Sequence, residues 1–414
     1  MMKILNFGSC NVDYVYSLDH IVNAGETETT NNLSTFPGGK GLNQSIAMAR
    51  AGIKVYHAGC IGADGEILTD ILLENNVDTS FIKYTAEKNG HAIIQVSADG
   101  ENSIFLYPGS NEMITKEHID SVLKNFSKGD ILLLQNEINN LNYIIKKAYE
   151  IGMCIILNPS PINEKIFEID FNMLSYIILN EGEAQAISKK SEPEDSLIYF
   201  KNTYPNLKVM LTLGKNGCIF QDENQKVFHP IFEVKPVDTT AAGDTFTGYF
   251  VEGVTKNRPI KETLRLSSCA SAIAVSKNGA APSIPFMKDV TSSIDSMKIK
   301  KQGTKSEVIL RKAEKYIEEN IKTATLEELA EILGYSPVYT ANLIKKITGT
   351  TFKKILQERR LLLSSKLLLD TDLSISEIIK EAGYENESFF REIFKKKYNK
   401  NPLEYKKDMT GEKI

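Results

Sequence analysis

Residues 3 to about 285 alternate short apolar runs with helical stretches. KILNFG (3–8), VYHAGCIG (55–62), DILLLQNE (130–137), MCIILNPS (153–160), YIILNEGE (176–183) and VMLTLGKNG (209–217) each end in Asn, Gly, Glu or Ser, and most lead into an amphipathic segment. Apolar run, polar tip, helix, next run is the pattern of an α/β fold: a parallel sheet covered by helices on both faces, with functional groups at the carboxyl ends of its strands. Residues 26–36 and 91–107 break this rhythm. The second (HAIIQVSADGENSIFLY) predicts a hairpin turning at Asp99-Gly100. These strands predict either a small β flap beside the main sheet or an edge extension of it.

Residues 286–306 are polar and charged, rich in Ser and Lys, and predict a flexible linker over 287–306, with a reach of roughly 25 Å. Beyond it the period becomes helical, and a repeat appears. LAEILGYS (329–336) recurs as IIKEAGYE (378–385) at an offset of 49, and LIKKITG (343–349) recurs as IFKKKYN (393–399) at an offset of 50. Each copy opens on a capping-box pattern, Thr325 with Glu328 and Ser374 with Glu377, and carries a turn glycine, Gly334 or Gly383. Ser336-Pro337 adds an N-cap and a helix-starting proline. Two helix-turn-helix units are therefore expected, joined by a longer helix over about 351–370. The predicted division is 1–286, a linker, and an all-α domain at 307–408.

A chain of 414 residues accommodates that division. Its net charge of −4 is uneven: from Lys305 onward there are 21 Lys+Arg against 18 Asp+Glu, and before it 28 against 35. A mildly basic tail on an acidic body implies different partners for each. The cysteines Cys10, Cys60, Cys154, Cys218 and Cys269 stand singly in apolar segments and read as small buried residues of a reducing cytoplasm. No apolar run approaches the ~18 residues of a membrane span. The five histidines show no metal-ligand spacing and read as structural or surface residues.

DTTAAGDTF (238–246) places small residues and an aspartate at a helix start. The first N–H groups of such a helix point at an anion, and Asp244 stands where a hydroxyl must lose its proton. The bland alternative is an ordinary capping aspartate. PGGKGLNQ (37–44) opens a second helix of small residues, with Lys40 and Asn43 at its mouth; Leu42 stands where a Walker loop needs a hydroxyl.

With GSCNVD (8–13), GET (25–27), NEGE (180–183), TLGKNG (212–217) and GAAPSIP (279–285) in the same order, residues 3–286 resemble the ribokinase family of sugar kinases. The resemblance implies that Asn11, Asp13, Gly39, Lys40, Asn43 and Glu137 bind the sugar. It makes Asp244 the base for a primary hydroxyl attacking the γ-phosphate of ATP, with Ala242 and Gly243 as anion-hole donors. Asn180 and Glu183 would orient Mg2+ and its waters. Thr212, Gly214, Gly217 and Ser268 would line the nucleotide, and Asp238, Thr240, Ala274, Lys277, Gly279 and Ser283 a K+ site. D-ribose is the implied substrate, converted to ribose 5-phosphate, and a homodimer paired through the flap is expected. Another sugar or a nucleoside, or a sugar-sensing regulator with a non-catalytic kinase fold, are the alternatives.

Residues 308–407, with the ending FKKKYNKNPLEY, resemble the DNA-binding domain of the AraC family of transcription regulators. The resemblance implies that the second helix of each unit enters the major groove, exposing Tyr339, Thr340 and Asn342, and then Ser388, Arg391 and Lys395. Lys345, Lys346, Lys353, Lys396 and Lys397 are assigned to phosphates. Asn342 and Glu392 stand where relatives often carry arginine, and Asn399 replaces a usual glycine.

Overall fold

The computed structural model describes residues 2–99, 101–300, 305–371 and 373–410. The chain divides into two compact units, Met1–Lys301 and Gln302–Ile414. The strands of the first are β1 (Ile4–Phe7), β2 (Asn11–Ser17), β3 (Asn32–Gly38), β4 (Val55–Ile61), β5 (Asp78–Tyr84), β6 (Gly90–Val96), β7 (Asn102–Tyr107), β8 (Ile131–Gln135), β9 (Cys154–Asn158), β10 (Tyr176–Asn180), β11 (Lys208–Thr212), β12 (Cys218–Gln221) and β13 (Lys226–His229). Its helices are α1 (Lys40–Arg50), α2 (Glu66–Glu74), α3 (Lys116–Leu123), α4 (Leu141–Ile151), α5 (Glu181–Ser188), α6 (Pro193–Thr203), α7 (Ala242–Thr255), α8 (Ile260–Val275) and α9 (Met287–Ser293).

Nine strands form the main sheet in the order β13-β12-β11-β10-β9-β8-β1-β4-β5. Period-two alternation sends Leu5, Phe7, Leu132 and Leu134 into the core on one face. Ile4, Val55, Ile131 and Leu133 enter the core on the other, against Leu42, Ile46, Phe246 and Phe250 of α1 and α7. Burial on both faces is why these strands read as continuous apolar runs. β1 pairs in parallel with both β4 and β8. The chain thus leaves β1 toward one edge and later returns to build toward the other. A crevice opens at the carboxyl end of β1, the switch point where ligands bind such sheets. The sheet is not wholly parallel, because β12 pairs antiparallel with β11 and β13 antiparallel with β12.

The interrupted segments form a separate sheet, β3-β2-β6-β7, so the flap reading holds and the edge extension does not. Within residues 26–36 only the portion from Asn32 is strand. β6 and β7 pair antiparallel as the hairpin reading requires, while Gly100 of the expected turn lies outside the described residues. β2 was not foreseen. It starts directly after β1 and carries Asn11 and Asp13 from the main sheet into the flap.

The expected linker over 287–306 is corrected at its first part. Residues 287–293 form α9, whose Val290, with Ile294 just beyond it, packs against Phe232, Tyr249 and Cys269. Glu233 N donates to Lys298 O at 2.7 Å and Lys300 N to Ile231 O at 2.8 Å. Val290, Ile294 and Met297 have helical spacing, but lie among Ser, Thr, Lys and Asp that mask it. Residues 301–304 lie outside the described residues.

The second unit contains α10 (Lys305–Glu319), α11 (Leu326–Leu333), α12 (Pro337–Thr348), α13 (Phe352–Asp370), α14 (Ile375–Glu381), α15 (Glu387–Tyr398) and α16 (Pro402–Thr410). The repeat yields two small cores, one around Leu329, Ile344 and Leu356, the other around Ile378, Phe390 and Phe394. Ser374 and Glu377 form a complete capping box. The Thr325 pattern is met only by half: Thr325 accepts from Glu328 N, but the Glu328 carboxylate takes the Tyr316 hydroxyl at 2.5 Å, and that hydroxyl accepts from Thr325 N at 2.9 Å. Asn399 ends α15 at φ 55, in the left-handed region expected of it.

Candidate functional site

Loop 8–10 after β1, the turn into α1, the residues after β8 and the start of α7 converge at the switch point. Gly39 stands at φ 91, and a Cβ there would lie 2.9 Å from Asn11 N; only glycine lets this turn press against the β1–β2 loop. Lys40 N donates to Glu137 Oε2 at 3.0 Å, Ser9 Oγ donates to the same oxygen, and Gly41 N donates to Ser9 Oγ at 3.2 Å. Asn11 Oδ1 accepts from Asn111 Nδ2 at 2.7 Å, and Asn111 Oδ1 accepts from Cys10 N at 3.0 Å. Asn11, Asn111 and Glu137 line one pocket of about 140 Å³, which reaches Tyr107 of the flap.

Asp244, in the first turn of α7, is 6 % exposed. Its Oδ2 accepts from Asn43 Nδ2 at 3.1 Å and its Oδ1 from Gln44 Nε2 at 2.9 Å. Gln44 is itself fixed, because its Oε1 accepts from Gln135 Nε2 at 2.7 Å and its Nε2 also reaches Asn158 Oδ1 at 3.1 Å. A capping aspartate would turn to its own helix N–H groups; this one is turned to α1.

The charges are crowded. Burial raises the pKa of Asp244, against the opposing pull of Lys40 and the two amides. Glu137 is raised by burial, opposed by Lys40 and Ser9. Asp13 is pushed up to about 7 by burial, then by Glu137 and Asp244. Burial works against the Lys40 charge, but Asp244, Glu137 and Glu183 together carry its pKa upward. Three carboxyl groups and one ammonium therefore share a site from which water is largely excluded, an arrangement suited to holding hydroxyls and taking a proton.

The anion-hole expectation needs one correction. Ala242 N already donates to Thr239 O at 3.2 Å, so it is occupied as a turn donor. Gly243 is exposed, with nothing within 4 Å of where a Cβ would stand; its backbone faces open space.

On the other side of the crevice, Asn180 and Glu183 bind each other. Asn180 N and Nδ2 donate to the Glu183 carboxylate at 3.0 and 2.8 Å, and Glu183 N donates to Asn180 Oδ1 at 2.9 Å. This capping box holds both side chains at the end of β10, with oxygen lone pairs left for water. Thr212 ends β11 and donates to Leu179 O at 3.1 Å, followed by the loop of Gly214 and Gly217, closed by Leu213 N to Gly217 O at 2.8 Å. Ser268 is 7 % exposed on α8, with its hydroxyl 3.7 Å from Cys218 Sγ.

Of the expected cation group, the structure joins Asp238, Thr240 and Gly279. Asp238 Oδ1 accepts from Thr240 N at 2.9 Å and Thr240 Oγ1 at 2.5 Å, and Oδ2 accepts from Gly279 N at 2.9 Å. Burial raises the Asp238 pKa, but these three bonds outweigh it and the net shift is down. Ala274 O accepts from Lys277 N, and Ser283 Oγ donates to Ala280 O at 2.8 Å. The donors are all oxygen, as a hard cation requires, yet Asp238 also works without one, tying the loop before α7 to the loop after α8.

In the second unit the offset of 50 sorts the helix faces. Thr340 and Ile344 of α12 correspond to Phe390 and Phe394 of α15, and all four are buried. The expectation that Thr340 is exposed is therefore corrected; the repeat held that signal. Tyr339, Asn342, Lys345, Ser388 and Lys395 are exposed. Arg391 is half-buried, and its Nε and Nη2 donate to Glu387 Oε1 at 2.9 and 2.7 Å.

The pfkB carbohydrate kinase family model matches residues 1–287, and a helix-turn-helix domain model matches residues 329–408. The ribokinase of Bacillus subtilis is 34% identical over 295 residues, covering 70% of this chain and 98% of that protein. Among solved structures, ribokinase from Thermotoga maritima is 32% identical with a TM-score of 0.63, covering 71% of this chain and 100% of that one. Arabidopsis thaliana ribokinase complexed with ribose and ATP is 25% identical with a TM-score of 0.64, covering 71% of this chain and 99% of that one.

Proposed function

Because the chain belongs to the pfkB family of carbohydrate kinases and ends in a helix-turn-helix domain, we propose that it transfers the γ-phosphate of ATP to the primary hydroxyl of D-ribose and binds DNA through its second unit. The observation that carries this reading is Asp244, buried and held through both oxygens by Asn43 and Gln44, beside Lys40 and the carboxyls of Asp13 and Glu137. Asp13, Asn11 and Glu137 bind the sugar hydroxyls, and a sugar lacking one leaves a buried group unpaired. Asp244 takes the proton as the hydroxyl attacks, and Gly243 N–H faces the phosphoryl group. Mg2+ held through water by Asn180 and Glu183 would neutralise phosphate charge, and K+ at Asp238 and the neighbouring carbonyls would steady the turn before α7.

The edge strand β7, with Ile104, Phe105, Leu106 and Tyr107 each more than 40 % exposed across its two faces, supports pairing of two flaps in a homodimer. Five free cysteines support a reducing, cytoplasmic setting, and no described helix is long and apolar enough to cross a membrane. The attached helix-turn-helix domain favours a second reading, a sugar sensor that has lost its chemistry. Sugar-dependent ADP release, measured across ribose, deoxyribose, ketohexoses and nucleosides with and without Mg2+ and K+, separates the two. Ribose-dependent turnover is expected; sugar binding without turnover for any substrate would leave only the sensor.

A further inference from the structure

The two groove-facing helices differ from their lysine content in what they offer a base. We infer that the DNA unit reads a site weighted to A·T pairs through Val338, Asn342 and Phe389, with no arginine on α12 to take a guanine. This rests on the proposed DNA binding and adds which bases it selects.

In a helix-turn-helix the N-terminal part of the second helix meets base edges. On α12 that part exposes Val338 at 74 % and Tyr339 at 50 %, followed one turn on by exposed Asn342. Tyr339 is steadied by Tyr335, with ring centroids 4.9 Å apart. On α15 the equivalent positions, 50 residues later, expose Ser388, Phe389 at 48 % and Glu392. The lysines come later, Lys345 and Lys346 in the last turn of α12, and Lys395, Lys396 and Lys397 in the last turn of α15. They sit where a helix leaves the groove, which suits phosphates.

Guanine is read most often by a bidentate arginine or lysine, and the lysines of these helices stand in their last turns. α12 contains no arginine, and the single one in α15, Arg391, is engaged by Glu387. What remains on α12 is apolar surface for the thymine methyl and the Asn342 amide able to bridge adenine N6 and N7, while Glu392 of α15 would accept from cytosine N4 and so admit a single G·C pair there. An isolated exposed valine on a helix is ordinary; Val338 instead stands beside Tyr339, whose repeat equivalent on α15 is Phe389, on the faces that carry the terminal lysines.

The test is selection of duplexes from a random library by the full-length protein, followed by titration of the selected duplex and of one in which the A·T pair facing α12 is replaced by G·C. Enrichment of A·T pairs is expected. Asn342→Ala should reduce the affinity ratio between the two duplexes by about 5- to 150-fold, whereas Lys346→Ala should weaken both alike and reduce the salt slope by about 1. Enrichment of G·C pairs facing α12, duplex binding without preference, or an Asn342→Ala ratio equal to wild type would each overturn the base assignment while leaving DNA binding intact. Failure to bind any duplex at low salt would remove DNA binding, and this assignment with it.

Discussion

At Asp244 two opposing effects meet. Burial favours the protonated acid and is the larger effect, while Lys40 and the amides of Gln44 and Asn43 favour the carboxylate. Asp244→Asn keeps the shape but removes the proposed base, so turnover is expected to fall by about 10² to 10⁴, with nucleotide affinity by calorimetry little changed. Asp13 has the opposite weakness. Its native pKa of about 7 lies above the roughly 3.9 of an unfolded aspartate. The native state thus keeps a proton that the unfolded state releases, and stability declines from about pH 4 to about pH 7 and is flat above. Asp13→Asn should raise the melting midpoint at pH 8, leave it nearly unchanged at pH 4, and abolish sugar affinity; an equal gain at both pH values would contradict this assignment. Sequence motifs announced Asp13, Lys40, Asn43 and Asp244 because each sits in a short glycine-bearing run. Ser9, Gln44 and Asn111 were not foreseen as partners, since their bonds cross 101 to 200 residues of chain and only folding brings them together.

Elements set how closely those residues meet. α1 and α7 touch at Gly248, where a Cβ would stand 2.4 Å from Ala47 Cβ and 2.8 Å from Met48 N. Gly248→Ala must separate the helices that carry Asn43, Gln44 and Asp244, so both melting midpoint and turnover should drop. Loss of stability with undiminished turnover would show that the contact does not position the base. The parallel strands β1, β4, β8, β9, β10 and β11 were legible because burial on both faces leaves unmixed apolar runs, whereas β5, part-buried at the sheet edge, was not. β12 and β13, four residues each, are too short to show a period, and β2 was hidden in a motif read for its polar groups. In the second unit the repeat disclosed the helices, and Thr340 was misplaced because its hydroxyl outweighed its alignment with the buried Phe390.

For the whole molecule, the boundary of the first unit carries energetic weight. Val290 is fully buried and Ile294 is 7 % exposed against Phe232, Tyr249 and Cys269; at roughly 1.5–3 kcal/mol for each such side chain, together they contribute about 3–6 kcal/mol. A fragment ending at Lys300 should therefore unfold cooperatively and keep ribose-dependent turnover, whereas one ending at Pro285 should melt lower or fail to fold. Equal midpoints for the two fragments would refute this boundary. A sequence reading that looked for polar composition ended the body too early, because three apolar residues on and just after one short helix hardly change the composition of the stretch.

The pairing of residues 298–300 with Ile231 and Glu233 has a meaning for evolution as much as for stability. It hems the cloth of the first unit before the second begins, so a recombination after residue 300 joins a finished fabric to whatever follows. A different tail joined after residue 300 would leave that pairing intact.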